Sequence, residues 1–419
     1  MSDISVRPDF TMVPDTDAAD RHLLVHLTAP GKPNGKPRAP IEVAFALDRS
    51  GSMAGQKIIL AKAALARALE ALGPQDRFAI VVYDSSVDLV CAAAAATSEA
   101  KRKALAKLAE IGPRGGTNLA EGWLMAAAQL ATKVSLSRVM LLTDGLANEG
   151  ETRQDALETH AAELRKRGVS LTTFGVGNDF DETLLQRLAA AGGGNFYYVE
   201  KPIQIPDFIA SELGEALEVV VSGAVLTVVH DPDVTVEPLS VVATEPAPNR
   251  TRLFLGSLVA DQELDLVLRL HIGPSAADRV VAIEASCVDG NFAGRAEVTF
   301  KSSPIAVAAA ETPEPEVIRE VAAIDLARTA QQAVALNRAG SYDAAFVLMN
   351  ASVANYDRYA GLDDILAGTL AQTRSASASY AAPMGEGDLK NAYWNASNTV
   401  RGRSVLGQAR RANKPDSKS

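Results

Sequence analysis

The sequence predicts an α/β fold in which a doubly wound, mostly parallel sheet is inserted in an antiparallel β-sandwich and followed by an α-helical region. Three patterns support this prediction. Between residues 41 and 199, short apolar runs alternate with amphipathic stretches, as in parallel sheets covered by helices. After residue 218, apolar residues recur at every second position, as in antiparallel strands. After residue 316, they recur three or four positions apart, which is typical of helices.

The elements of the α/β part follow from the apolar pattern. Runs such as FAIVVY at 78–83 predict strands that are buried on both faces. Stretches with apolar residues three or four apart predict helices. The predicted strands cover residues 41–47, 78–83, 139–143, 170–176 and 196–199, and the predicted helices cover residues 56–72, 98–109, 120–131, 153–167 and 181–191.

The predicted sandwich combines two distant pieces of the chain. Residues 3–29 contain two strand-like segments, and residues 30–40 are rich in Pro, Gly and Lys, which is typical of a linker. The two segments have no partner in the α/β part, so we expect them to join the later strands. Those later strands are predicted at 224–229, 234–242, 251–258, 263–271, 280–287 and 294–300.

The whole chain is thus predicted to have six parts. Two amphipathic helices lie on either side of Gly340, and a third begins near Asp363. The tail after residue 400 is basic and has few apolar residues, so we expect it to be mobile. The parts are N-terminal sandwich strands at 1–38, the α/β domain at 39–218, the sandwich at 219–303, a linker at 304–315, the helical region at 316–400 and the tail at 401–419.

The net charge and the cysteine count exclude several kinds of protein. The 41 Lys and Arg residues against 51 Asp and Glu give a formal net charge of −10, which argues against nucleic-acid binding through phosphates. Cys91 and Cys287 are too few for a disulfide framework or a cysteine zinc site. The N-terminus lacks the apolar stretch of a signal peptide, and the near-apolar run at 219–229 is shorter than the about 18 residues of a membrane helix. We expect a cytoplasmic protein without membrane insertion.

Oxygen-bearing side chains follow the predicted strands at one edge of the sheet. Asp48, Ser50 and Ser52 come directly after the first apolar strand, and Asp144 ends a second one. Thr117 lies in a glycine-rich loop before a helix. The carboxyl ends of parallel strands meet at the ligand-binding edge of a doubly wound sheet. Hard oxygen ligands of this kind suit Mg²⁺ or Mn²⁺ and leave one octahedral position open.

These residues resemble the von Willebrand factor A (VWA) domain and its metal-ion-dependent adhesion site. The pattern Asp48-x-Ser50-x-Ser52, then Thr117, then Thr143-Asp144-Gly145 occurs in the family's order, without departure at the five ligand positions. The resemblance covers about residues 40–219 and includes the similar segments 175–177 and 192–198. It implies a Rossmann-like fold and architectures of the bacterial VWA or inter-alpha-trypsin inhibitor heavy-chain type.

The resemblance also implies a function. Asp48, Ser50, Ser52, Thr117 and Asp144 would hold Mg²⁺ or Mn²⁺, and the open position would take an Asp or Glu carboxylate from a partner protein. The protein would be a binding module without catalytic residues. Intracellular members of the wider family suggest an adaptor that works in complex assembly with an AAA+ ATPase of the MoxR type. In some members metal coordination is coupled to sliding of the last helix, here about residues 205–219.

Two other functions would use the same metal chemistry. A metal-dependent hydrolase or phosphatase would need a nucleophile or general base near the metal, and no neighbour of Asp48 in the sequence is an evident candidate. An exported surface adhesin would share the metal chemistry but would need a signal for export. Asp84, beside another strand end, is expected to be solvated rather than to bind metal. The five histidines form no ligand pair and are expected to be surface or sheet residues.

Overall fold

The structure, a computed structural model, describes residues 3–32, 38–130, 136–288, 290 and 292–411. The strands are β1 (Asp3–Pro8), β2 (Met12–Pro14), β3 (Ala19–Thr28), β4 (Glu42–Asp48), β5 (Arg77–Tyr83), β6 (Val87–Ala95), β7 (Ser137–Thr143), β8 (Val169–Val176), β9 (Gly193–Val199), β10 (Val219–Val229), β11 (Val234–Pro238), β12 (Ala243–Ala247), β13 (Arg250–Val259), β14 (Glu263–Ile272), β15 (Arg279–Ser286) and β16 (Gly294–Ser303). The helices are α1 (Gln56–Ala71), α2 (Ser98–Ala109), α3 (Leu119–Ala128), α4 (Gln154–Lys166), α5 (Glu182–Ala191), α6 (Ile205–Leu217), α7 (Ile305–Ala308), α8 (Pro315–Arg338), α9 (Tyr342–Tyr356), α10 (Asp364–Ser377) and α11 (Glu386–Val400).

The chain forms two compact units. The first, called the α/β unit, is Pro33–Val219, and the second, called the β-helical unit, combines Met1–Lys32 with Val220–Ser419. The predicted linker at 30–40 is described only in part, since residues 33–37 lie outside the described residues. Among the described residues, no helix is both long enough and apolar enough to cross a membrane.

The α/β unit is built on one six-stranded sheet with the strand order β6-β5-β4-β7-β8-β9. All neighbours are parallel except β6, which runs antiparallel to β5. The α/β fold with a mostly parallel sheet is therefore confirmed. Strand β6 is not predicted from the sequence, because its alanine-rich segment carries no clear alternation of polar and apolar residues. The segment becomes a strand through its pairing with β5.

The strand register brings several chain segments to the carboxyl edge of the sheet. All seven residues of β4 are buried, and β4 lies between β5 and β7. Asp48, the last residue of β4, is level with Tyr83 at the end of β5. Leu47 is level with Leu142 of β7, so Thr143 and Asp144 lie beside Asp48 at the same edge. The central strands thus position the candidate site.

Close packing of α3 against β5 depends on Gly122. A Cβ atom there would lie 2.4 Å from a ring atom of Tyr83. We expect Gly122→Ala to lower the free energy of unfolding by about 1–3 kcal/mol because buried atoms must shift. The matched control is Gly214→Ala in α6, where a Cβ meets nothing within 4 Å; it should stabilise the protein by about 0.5–1 kcal/mol through the helix preference of alanine. Equal effects of the two changes in urea denaturation would contradict this packing.

The β-helical unit contains two sheets that share one hydrophobic cluster. One sheet has the order β1-β3-β14-β11 and the other the order β12-β13-β10-β15-β16-β2. The N-terminal strand β3 pairs over its whole length with β14, more than 200 residues later in the sequence. Leu23, Val25 and Leu27 of β3 join the shared cluster with residues of β10, β14 and β15. Alternate residues of one strand therefore build this core.

The opposite face of β3 and β14 is covered by helices. Leu24 and Val267 pack in a second cluster with Val317 and Val321 of α8 and Val400 of α11. Helix α8 also packs along α9 and α11. The predicted C-terminal helical region is thus confirmed, with α11 as an additional helix that the sequence analysis did not identify.

Several predicted elements differ in the structure. The segment at 3–29 holds three strands rather than two, because the short β2 pairs with β16. The predicted strand at 234–242 is shorter, since β11 ends at Pro238. A further strand that the sequence did not predict, β12, follows at Ala243–Ala247 and pairs with β13. Part of the predicted linker at 304–315 forms α7.

The predicted mobile tail is wrong for its first eleven residues. The backbone N–H of Glu263 donates to the carbonyl of Arg410 at 3.0 Å, and Gln262 forms an isolated bridge with Arg411. Arg403 and Ala409 form another bridge within the segment. These backbone hydrogen bonds hold residues 401–411 against the start of β14, a tertiary contact that composition does not reveal. Residues 412–419 lie outside the described residues.

Candidate functional site

The first site segment follows β4 in a tight loop. The Asp48 carboxylate is fully buried and accepts hydrogen bonds from the backbone N–H of Ser50 at 2.7 Å and from the hydroxyl of Thr143 at 2.6 Å. A short 3-10 turn at Gly51–Met53 leads into α1. This turn brings the hydroxyl oxygens of Ser50 and Ser52 to 3.1 Å from each other. Asp48 therefore fixes the loop that carries both serines.

Asp144 and Thr117 converge on the same point. The hydroxyl of Ser52 donates to Asp144 Oδ1 at 2.7 Å, and Asp144 is fully buried. A Cβ on the neighbouring Gly145 would lie 3.6 Å from the Thr117 hydroxyl and 3.7 Å from the Ser52 hydroxyl. The two hydroxyls therefore face one small volume beside Gly145. The structure brings together all five side chains that the sequence singles out, and Ser52 is the exposed member.

The loops around this volume are joined by backbone hydrogen bonds. Gly51 N–H donates to the carbonyl of Gly115 at 3.1 Å. Thr117 N–H donates to Asn148 Oδ1 at 2.9 Å, and the carbonyl of Thr117 accepts from Asn148 N–H at 3.3 Å. The three segments that carry the site therefore hold one another in place, with Thr117 tied to the loop after β7.

A cluster of charged residues that the sequence does not predict holds the loop between Asp48 and Ser50 in place. Arg49 is only 4% exposed, and its Nε lies 2.9 Å from Asp84 Oδ2. Arg49 also pairs with Asp88, and Arg114 pairs with Asp84 at 2.6 Å and with Asp88 at 3.1 Å. The Arg114 N–H donates to the carbonyl of Arg49 at 2.7 Å. We call these four residues the arginine–aspartate clamp.

The clamp corrects the prediction that Asp84 is solvated. The Asp84 side chain is buried, and its Oδ1 accepts from Ser86 N–H at 2.7 Å. Burial opposes ionisation, but the hydrogen bonds from Arg114 and Ser86 and the charge of Arg49 hold the pKa of Asp84 below its usual value. The residue is thus an ionised anchor between two arginines. In the sequence, Asp84 directly follows β5 and Asp88 is the second residue of β6, and neither position indicates an arginine partner.

Lys57, also not identified from the sequence, contacts the site directly. Its Nζ forms an ion pair and hydrogen bond with Asp144 Oδ2. Asp144 therefore uses one carboxylate oxygen for Ser52 and the other for Lys57.

The two carboxylates of the site differ in their surroundings. Burial raises the pKa of Asp48 from its usual 3.8 to about 6, although the hydrogen bonds from Thr143 and Ser50 act in the opposite direction. Burial and the nearby charge of Asp48 also raise the pKa of the Tyr83 hydroxyl, which donates to the carbonyl of Leu142 at 3.2 Å. In the metal-free protein, no cation pairs directly with Asp48 among the hydrogen bonds and ion pairs described for it. A charge there is costly.

This burial predicts a pH dependence of stability. The pKa of Asp48 is higher in the folded than in the unfolded chain, so the folded state binds the carboxyl proton more tightly. The resulting gain in the free energy of unfolding is fully present below about pH 4 and is lost as the pH rises to about 6. A rise of the pKa from 3.8 to about 6 corresponds to about 3 kcal/mol. Urea denaturation in metal-free buffer between pH 4 and pH 7 measures this change in the free energy of unfolding. If Asp48→Asn has the same profile as the wild type, this assignment is wrong.

The donor set fits a hard divalent ion. Neighbouring oxygens around Mg²⁺, with bonds of about 2.1 Å in an octahedron, lie about 3 Å apart, close to the 3.1 Å between Ser50 Oγ and Ser52 Oγ. Among the described residues, no three His, Cys, Asp or Glu side chains group as metal ligands. A metal held here would therefore depend on hydroxyl oxygens as much as on the two carboxylates.

Three histidines pair with aspartates in the β-helical unit. The pairs are His22–Asp9 at 2.8 Å, His26–Asp265 at 2.7 Å and His271–Asp20 at 2.9 Å. All three histidines lie on β3 or β14. They are sheet residues, as the sequence predicts.

Comparisons with known proteins concern the α/β unit. The family model of the von Willebrand factor type A domain matches residues 41–198. Human inter-alpha-trypsin inhibitor heavy chain H4 is 33% identical over 171 residues, which make up 39% of this chain and 18% of that protein. The YfbK protein of Escherichia coli K12 is 32% identical over 181 residues, 41% of this chain and 31% of that protein. This chain thus spans less than a third of the length of either relative.

A likeness of fold extends over 98% of the chain. The solved structure of a von Willebrand factor type A protein from Catenulispora acidiphila matches with a TM-score of 0.74 and covers 98% of this chain and 97% of that chain. Its sequence is 18% identical, so the likeness concerns the fold alone. VWA domains are generally protein-interaction modules and often bind divalent metal ions. Residues 41–198 thus match the von Willebrand factor type A family model, and the fold of the chain is VWA-like.

Proposed function

We propose that the VWA domain binds a partner protein through a divalent ion, Mg²⁺ or Mn²⁺, held by Asp48, Ser50, Ser52, Thr117 and Asp144. The observation that carries this proposal is the chain of short oxygen–oxygen contacts at the edge of the sheet. Ser50 Oγ lies 3.1 Å from Ser52 Oγ, which lies 2.7 Å from Asp144 Oδ1. Polar oxygens collected in this way around one volume are what a hard cation requires.

Each residue has a distinct task in this proposal. The hydroxyls of Ser50, Ser52 and Thr117 supply neutral oxygen ligands, and Asp48 and Asp144 supply the balancing negative charge. Asp48 also holds the serine loop through its contact with Ser50 N–H. A bound ion supplies an electrophilic position for one more oxygen, and a carboxylate of the partner is the expected ligand.

The geometry favours binding over catalysis. The polar side chains beside the site already have partners: Lys57 pairs with Asp144, and Glu149 accepts from Ser85 at 2.8 Å. General-base catalysis needs a group placed to take a proton from water or substrate. We therefore propose a binding module rather than an enzyme. The alternative is a metal-dependent hydrolase or phosphatase, and Mg²⁺-dependent turnover in a hydrolase panel would favour it.

We further propose a role as a cytoplasmic adaptor in complex assembly, with an AAA+ ATPase of the MoxR type as the candidate partner. The resemblance to intracellular VWA proteins supports this role, and co-purification of such an ATPase tests it. An exported adhesin would use the same metal chemistry at the cell surface. Cell fractionation distinguishes the two: recovery at the surface rather than in the cytoplasm would overturn the adaptor proposal.

The domain arrangement belongs to the same proposal. We propose that the two sheets of the β-helical unit form a β-sandwich in which residues 39–218 are inserted. The pairing of β3 with β14 and the shared hydrophobic cluster support this arrangement. In this arrangement the VWA domain is attached to the sandwich at both of its ends.

Capture of partners from the native lysate tests the proposed function. Immobilised wild-type protein with Mg²⁺ should retain partners that are lost in EDTA and lost with Asp48→Ala. Asp207→Ala is the matched control, since this aspartate of the same domain has an 82% exposed side chain and only a 3.7 Å ion pair with Arg67; it should retain the same partners. Partners that persist both in EDTA and with Asp48→Ala would contradict metal-bridged binding.

A further inference from the structure

A lysine occupies an unfavourable position beside the candidate metal site. Lys57 is the second residue of α1, and the first turn of this helix has no acidic residue. The positive end of the helix dipole disfavours a cation there. The ammonium group is nevertheless only partly exposed, with 23% of the side chain accessible, and pairs with the fully buried Asp144. The contact with Asp144, rather than local helix preference, accounts for its position.

The surroundings of the ammonium group restrict it to this place. A Cβ on Gly177, which directly follows β8, would come 3.8 Å from both Cε and Nζ of Lys57. The end of β8 therefore borders the lysine on one side and Asp144 pairs with it on the other. Asp144 Oδ1 remains directed to Ser52, within the ligand set. The ammonium group of Lys57 therefore belongs to the site.

We propose that Lys57 sets the charge of the metal site, so that the loaded site requires an anionic ligand. This inference rests on the proposed function and adds a residue that the five-ligand pattern does not contain. Asp48 and Asp144 together carry two negative charges, which a divalent ion balances. The ammonium group of Lys57 adds one positive charge that neither carboxylate then compensates. A carboxylate at the open position restores neutrality, whereas water does not.

The proposal predicts opposite effects on two ligands. Without the ammonium group, repulsion of the divalent ion disappears and Asp144 Oδ2 is released, so the metal binds more tightly. The loaded site is then neutral and attracts a carboxylate less strongly. If Lys57 only stabilised the fold, its removal would disorder the site. The metal ion and the carboxylate would then both bind more weakly, instead of one more tightly and the other more weakly.

Two variants separate charge from position. Lys57→Met removes both the charge and the hydrogen bond to Asp144, whereas Lys57→Gln removes the charge and keeps a donor. Lys62→Met is the matched control: Lys62 lies on the same helix, and its Nζ donates to the carbonyl of Ala109 at 3.0 Å. Mn²⁺ alone is titrated at low ionic strength with electron paramagnetic resonance. Acetate is then titrated into the Mn²⁺-loaded protein, with water-proton relaxation as the measure of water displaced from the ion.

The expected result is Mn²⁺ binding about tenfold tighter in both Lys57 variants, and acetate binding weaker by about threefold or more, with Lys62→Met unchanged. If Lys57→Met fails to fold, Lys57→Gln alone decides. Mn²⁺ binding that is unchanged or weaker in a folded Lys57 variant overturns the inference and leaves the proposed function standing, as does unchanged acetate affinity. A folded wild-type protein that binds no Mn²⁺ overturns the proposed function itself.

Discussion

Asp48→Asn is expected to stabilise the metal-free protein at pH 7 by up to about 3 kcal/mol while abolishing its metal binding. The wild-type carboxylate is fully buried, and its pKa is raised to about 6, so its ionised form opposes folding at neutral pH. Asparagine has the same shape without the charge. Its amide keeps an acceptor for Ser50 N–H and offers a donor to the hydroxyl of Thr143.

The order of stability should reverse in excess Mn²⁺. A ligand that binds only the folded state stabilises it by about 4.1 kcal/mol at one thousand times its dissociation constant. This exceeds the gain of up to about 3 kcal/mol expected for Asp48→Asn, and only the wild type receives it. Thermal and urea denaturation with and without Mn²⁺ measure both parts. Asp84→Asn is the matched control, because Asp84 is equally buried but ion-paired; it should destabilise the protein under both conditions. An Asp48→Asn protein less stable than the wild type without metal would refute the argument.

Glu212→Leu is expected to lower the free energy of unfolding by about 3–5 kcal/mol. Glu212 on α6 is fully buried and pairs with Arg138. It also accepts hydrogen bonds from the hydroxyl of Thr172 at 2.8 Å, from Asn195 Nδ2 at 2.8 Å and from the hydroxyl of Tyr197 at 2.7 Å. Removal of this carboxylate leaves Arg138, whose side chain is only 14% exposed, without its counter-charge, which is the costly case for a buried ion pair.

The control for this prediction lies on the same helix. Asp207→Ala removes an exposed ion pair and should change stability by less than about 0.5 kcal/mol. If Glu212→Leu is as mild as Asp207→Ala in urea denaturation, the buried network does not hold α6 to the sheet. The network also bears on the sliding of α6 that the family resemblance implies. Such sliding would have to separate Glu212 from three strands, β7, β8 and β9, at once.

Much of the α/β unit is predictable from the sequence because its signals are local. A short, fully apolar run such as residues 78–83 predicts a strand that is buried on both faces, and the structure places β5 there. The proximity of the five candidate side chains is predictable for a related reason. Asp48, Ser50, Ser52 and Asp144 follow the ends of parallel strands, and Thr117 precedes a helix of the same unit, so we expect them at one edge. Asp48, Ser50, Ser52, Thr117 and Asp144 indeed meet there.

The features that the sequence analysis missed depend on distant contacts. Strand β6 is alanine-rich and becomes a strand only by pairing with β5. Helix α11 contains several asparagines and has a buried lysine, Lys390, so its stability comes from packing along α8 rather than from an apolar stripe. Lys57 reads as an ordinary helix residue until its ion pair with Asp144 is known. The sequence does not show which residue a charged side chain pairs with in the folded protein.

The measurement that tests the central claim most directly is the stoichiometry of Mn²⁺ binding, followed by electron paramagnetic resonance on the purified protein. We expect one Mn²⁺ per chain, displaced by Mg²⁺, and no bound Mn²⁺ in a folded double variant Ser50→Ala, Ser52→Ala. The double variant keeps both carboxylates and removes only the two hydroxyls that lie 3.1 Å apart. A wild-type chain that binds no Mn²⁺, or a double variant that binds it equally well, would contradict a metal site built from these residues.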